Sequence, residues 1–174
     1  MCLALLGCPR STPPPPPPPP PDASVPRNPG TITLRDYHIR FPQQGARVWE
    51  ADVKKTQADP TKGRLAMTGI ACVLYDGGHA ALRVTADDGT AMLQGSTADV
   101  HLHGHVHAID LDKGITLDAA AFAWNSTNGK IGADSLVWLM QGLRQNAEHG
   151  IFSTNLHAAT FDHVRTDILR SVSK

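Results

Sequence analysis

The feature that most constrains this chain is a two-residue alternation of apolar and polar positions, recurring from Arg47 to Val164 and interrupted at intervals by turn signals. Alternate side chains of an extended strand point to opposite faces, so this period marks strands with one buried side. Helical periodicity is hard to find. Arg47 to Asp59 places Trp49, Ala51 and Val53 on one face; Arg64 to Asp76 ends at Asp76-Gly77-Gly78. Ala80 to Ala86 stops at Asp87-Asp88-Gly89, Thr97 to Leu111 at Asp112-Lys113-Gly114, and Ile115 to Trp124 near Asn128-Gly129. Ile131 to Leu143 and Ile151 to Val164 complete the set. Asp-Gly, Gly-Gly and Asn-Gly steps are the turn formers of hairpins. The expectation is an all-β domain of long antiparallel strands over residues 31–170.

Glycines add a repeat. Met67-Thr68-Gly69-Ile70, His103-Gly104-His105-Val106 and Gln141-Gly142-Leu143 each place a glycine inside a strand segment, at spacings of 35 and 38 residues. A second glycine follows each at a turn position: Gly78, Gly114 and Gly150. A strand glycine marks a bulge or bend, which a strongly curled sheet needs. Between the repeats run Ala98-Asp99-Val100 and Ala133-Asp134-Ser135-Leu136-Val137. Leu102, Gly104, Val106, Gly114, Leu117, Ala119, Ala133, Asp134 and Val137 carry a pattern that resembles the repeat of the LptC/LptA (OstA N-terminal-like) lipopolysaccharide-export bridge proteins. The opening strand Val48-Trp49-Glu50-Ala51-Asp52 is most similar to the LptC branch.

That resemblance implies an open, curled β-jellyroll (a β-taco) located in the periplasm. It implies no catalysis and no cofactor: acyl chains of lipopolysaccharide slide along the inner groove and pass to a homologous jellyroll by edge-strand pairing. An inner-membrane export transporter is the further partner implied. Alternation gives the inward face as Leu102 with Val106, Leu117 with Ala119, and Val137 with Leu139; Met67, Val73, Phe122 and Trp124 are further groove candidates. A closed, filled sandwich core would satisfy the same alternation, and a one-residue slip would invert any strand.

The first thirty residues are different in kind. Leu5-Leu6-Gly7-Cys8 reads as a lipobox, with Cys8 the residue to be acylated, although a basic stretch and a full apolar stretch before it are missing. Residues 1–8 are therefore read as a truncated lipoprotein signal, the alternative being a chance tetrapeptide. Residues 9–30 form a linker in which Pro13 to Pro21 is unbroken. Such a run adopts polyproline II and spans roughly 28 Å as a stiff tether. A membrane-anchored chain is the expectation.

Other chemistry is scarce. Sixteen basic residues balance sixteen acidic ones, so the chain lacks the basic excess of a nucleic-acid binder. With Cys2 and Cys8 in the leader, Cys72 is left alone in the apolar run Ile70 to Leu74, as an inert buried thiol. His101, His103, His105 and His107 alternate along one strand face. With Gly95 and Gly114, His101, His103 and His107 resemble the first cupin motif, His107 at its glutamate position, which makes a metal-binding β-roll the alternative function. The second cupin motif has no counterpart, and a solvated polar face explains the ladder as well. No GxSxG, phosphate loop or HExxH string occurs, so no catalytic residue is expected.

Overall fold

The structure, a computed structural model, describes residues 31–42, 48–94 and 97–169. The lipobox-like segment, Cys8 and the proline run lie outside the described residues. Among those described, ten strands form one antiparallel sheet: β1 (Ile32–Pro42), β2 (Val48–Asp59), β3 (Arg64–Asp76), β4 (His79–Gln94), β5 (Thr97–Asp110), β6 (Thr116–Asn125), β7 (Lys130–Met140), β8 (Leu143–Ser153), β9 (Ala159–Asp162) and β10 (Arg165–Ile168). Strands β1 to β8 follow one another as a meander. β9 and β10 then share the outer edge of β8, against His149–Phe152 and Leu143–Asn146 respectively. β1 and β8 do not pair, so the sheet stays open rather than closing into a barrel.

A single sheet buries a face only by folding onto itself, and the burial pattern records where it folds. In β2 the inward residues Ala51 and Val53 give way to Thr56, with Lys54 and Lys55 both outward. The same two-residue break in phase occurs at 68–69 of β3, 87–88 of β4, 120–121 of β6, 134–135 of β7 and 148–149 of β8, and as three residues at 103–105 of β5. Pairing brings these breaks side by side: Val53 faces Ile70 and Ile70 faces Ala86, while Met67 faces Gly89 and Gly89 faces Leu102. Leu102 faces Phe122, Phe122 faces Ala133 and Ala133 faces Gly150. The result is a crease running across seven neighbouring strands. It divides the sheet into a first arm (for example residues 48–53, 70–76 and 106–110) and a second arm (56–59, 64–67 and 97–102). At the crease Gly69 (φ +65°) and Gly104 (φ +75°) adopt left-handed backbone, which bends the strand as a bulge does. His105 and Ser135 share that conformation.

The crease corrects several sequence expectations. Asp87-Asp88-Gly89 is not a turn: β4 continues through it to Gln94. Gly142 and Gly150 exchange the roles expected of them, since Gly142 lies between β7 and β8 and Gly150 lies inside β8. The 35-residue spacing of Gly69 and Gly104 is the distance between creases two strands apart. β1 precedes the strand taken to open the domain, and β8 fills the stretch left unassigned between residues 143 and 151.

Candidate functional site

The inner face of the folded sheet is the candidate site. Seven of the ten sequence-expected groove residues lie on it: Met67, Leu102, Val106, Leu117, Ala119, Phe122 and Trp124 are all buried. Val73, Val137 and Leu139 do not. Their neighbours Cys72, Leu74, Leu136 and Trp138 are the buried ones, so these three point to the outer face. The physical reason is the crease: a break at 68–69 in β3 and at Ser135 in β7 shifts the alternation by one residue beyond it. Within β6 the same break reconciles Leu117 and Ala119 with Phe122 and Trp124, which are out of phase in the sequence yet share the interior.

The two arms meet through aromatic rings. Trp49 of the first arm and Trp124 of the second have ring centroids 5.4 Å apart at 57°. Farther along, Trp138 of the first arm lies 5.5 Å from Phe161 of β9, which also contacts Phe152 edge-on at 5.4 Å. Beside the Trp49–Trp124 pair remains a cavity of about 20 Å³ lined by Met67, Cys72, Leu102 and Phe122 among others. That is room for about one water molecule. Among the described residues, the interior beside this ring pair is therefore packed with little space to spare.

Cys72 lines this cavity, and burial, reinforced by the nearby Asp52 carboxylate, pushes its thiol up to about 12. It is a small apolar wall residue rather than a nucleophile. One end of the interior is closed by the segment after β8, where Leu156 is wholly buried. This segment is tied to the first arm by His157, whose Nε2 donates to Asp110 Oδ2 at 2.8 Å while Lys113 Nζ lies 3.3 Å from Nδ1. Asp110 is itself buried and also accepts from the backbone N–H groups of Asp112 and Lys113 at 3.0 and 2.5 Å. Sequence reasoning missed this latch, because Asp110 and His157 stand 47 residues apart and neither belongs to a motif.

The histidine ladder faces outward: His101, His103, His105 and His107 are all exposed. His105 Nδ1 lies 2.6 Å from Asp87 Oδ2, and His107 Nδ1 lies 2.7 Å from Asp118 Oδ1. The same arrangement recurs at His149 and Asp134, 2.5 Å apart. Each pair joins adjacent strands on the convex side, and the Asp87 carboxylate holds the His105 imidazole above its usual value. Among the described residues no group of three or more His, Cys, Asp or Glu side chains stands close enough to hold a metal ion. His105 with Asp87 and His149 with Asp134 thus bridge strands on the outside of the crease, and His107 with Asp118 does so just beyond it.

A family model described as lipopolysaccharide-assembly, LptC-related, matches residues 11–142. The chain belongs to this family. No curated protein matches the chain. Among solved structures it is similar to LptH of Pseudomonas aeruginosa, described as the LptA-homologous periplasmic component of the conserved lipopolysaccharide transport device. The identity is 13% and the TM-score 0.56, with 71% of this chain and 94% of LptH covered. At that identity the likeness concerns the fold, an open LptA-like jellyroll. The resemblance drawn from Leu102, Gly104, Val106 and their partners is thereby sustained at the level of family and architecture.

Proposed function

We propose that this LptC-related chain is a non-catalytic component of lipopolysaccharide transport that takes acyl chains between the arms of its creased sheet. The observation that carries the reading is a continuous apolar inner face on a sheet that remains open along its edges. Open edges invite pairing with other chains, and here the two edges differ. Among the described residues, β1 offers an 11-residue strand paired on one side only, whereas the opposite edge is built from two strands of four residues.

Pairing of an edge strand with a homologous jellyroll would align the two interiors, so that lipid passes from one to the next without crossing water. The described similarity to a periplasmic transport component supports placement in the periplasm. An acylated Cys8 and the proline run would hold the domain off a membrane, within reach of an inner-membrane export transporter.

The test is photocrosslinking of lipopolysaccharide to single photoreactive residues. Positions 102 and 117 should crosslink, while positions 73 and 137 on the outer face of the same sheet should not. Equal labelling of both faces, or none at any inner position, refutes the groove.

A further inference from the structure

The interior carries an unexpected set of hydrogen-bond donors. The chain has three tryptophans, and all three are inward and nearly fully buried: Trp49 at 5% exposure, Trp124 at 3% and Trp138 at 5%. Among the described residues none accepts a hydrogen bond from any of the three indole Nε1–H groups, and the hydroxyl of Thr56, also wholly buried, is likewise unpaired. Gln145 Oε1 is the remaining buried orphan among the described residues and reaches none of them. A buried indole N–H normally finds a partner, because leaving it unpaired forfeits the hydrogen bond it had with water. Phenylalanine would fill these positions without that loss.

The donors are also placed where the arms touch. Trp49 and Trp124 form the ring contact beside the small cavity, and Trp138 forms the second contact with Phe161. Any ligand that parts the arms must part these rings first. We infer that the three indole N–H groups are held for oxygen acceptors within the apolar part of the ligand. The ligand class is then an acylated amphiphile with ester or amide carbonyls at the heads of its chains, rather than a plain hydrocarbon chain. This deepens the groove reading and rests on it: hydrocarbon burial supplies the affinity, and the tryptophans fix where along the groove the carbonyls stop.

Two amphiphiles with the same headgroup and chain length separate the terms. 1-Lauroyl-lysophosphatidylcholine carries an ester carbonyl; its ether analogue, 1-O-dodecyl-lysophosphatidylcholine, has a methylene in that place and is otherwise the same. Both are titrated below their micelle concentrations into the ¹⁵N-labelled full chain, whose three indole signals are assigned with W49F, W124F and W138F. Both should bind and shift the indole signals as the rings part, and the lauroyl ester should carry the indole protons further downfield than the ether does. W49F and W124F should each weaken the ester by about two- to tenfold more than they weaken the ether, the worth of one net hydrogen bond. Identical indole responses to the two amphiphiles overturn the inference while leaving the groove intact, as does equal weakening of both in the variants. If neither amphiphile nor lipopolysaccharide binds the unmodified protein, the groove reading itself falls. The spectral arm uses the unmodified chain, so a variant that misfolds does not remove the test.

Discussion

Gly89→Ala tests the crease most directly. Gly89 sits at the start of the second arm in β4, facing Met67 on one side and Leu102 on the other. Its backbone is ordinary, so no conformational penalty attends a side chain there. The obstacle is space: an added Cβ would stand 2.7 Å from Leu102 Cδ2, 2.8 Å from Ile70 Cδ1 and 2.9 Å from the His101 carbonyl oxygen. Two of these are side-chain ends that can rotate, and the third is backbone held in the ladder. Overpacking of this kind costs about 1–3 kcal/mol. The reduced entropy of the unfolded chain returns about 0.4–1 kcal/mol of that. A net loss of about 1–2 kcal/mol follows, read as a lower urea midpoint at unchanged slope by tryptophan fluorescence. Gly132→Ala is the internal control, because nothing lies within 4 Å of its added Cβ. It should be neutral or slightly stabilising. In a double-mutant cycle with Leu102→Ala, itself costing about 3–5 kcal/mol, Gly89→Ala should become cheaper by at least about 0.5 kcal/mol. If Gly89→Ala behaves like Gly132→Ala, or the cycle shows no coupling, the packing of the crease described above is wrong.

Three other outcomes are expected. With Cys2 and Cys8 replaced by serine, Cys72 should react with a thiol reagent far more slowly than a free thiol at pH 8, and faster when an amphiphile parts the arms. Because its folded value near 12 exceeds the unfolded value near 9.0, the thiol adds nothing below about pH 8; stability should fall as pH rises from 9, where the unfolded thiol ionises first. His105 should titrate above the ordinary histidine value in an NMR pH series, and D87N should bring it back. The sign is that of a raised base: its contribution is complete below pH 6.5 and is lost as pH rises through the folded value. Asp110→Ala leaves two turn N–H groups and His157 without their acceptor, so it should cost about 2–3 kcal/mol in urea unfolding. Amide exchange should then quicken first around Leu156; unaltered protection there would show that the latch does not hold that segment.

Much of this was legible before any coordinates. Trp49, Ala51 and Val53 alternate in sequence and are buried together in the fold, because β2 runs unbroken through them. Leu102 and Val106 share the inner face for a subtler reason. The break in β5 spans three residues, so parity is conserved across it and simple alternation survives. Val137 and Leu139 failed because the β7 break spans two, and its bend falls at Ser135, a residue type that does not announce left-handed backbone. Gly69 and Gly104 did announce it as glycines inside strands, whereas Gly142, expected with them, lies between β7 and β8. The Asp110–His157 contact and the burial of Leu156 were beyond sequence reasoning, since both depend on how the last segment returns across the arms.

The breaks in phase also bear on how a chain of this kind can change length. A residue inserted into an ordinary strand turns every later side chain of that strand inside out. Here the strands already switch faces at one shared line, and that line accommodates two residues in β2 and three in β5. Gly104 and His105 absorb the extra residue by turning left-handed together, and both arms keep their faces. The crease therefore works as an expansion joint. Relatives differing by single-residue insertions should carry them there, with the apolar facing of both arms undisturbed.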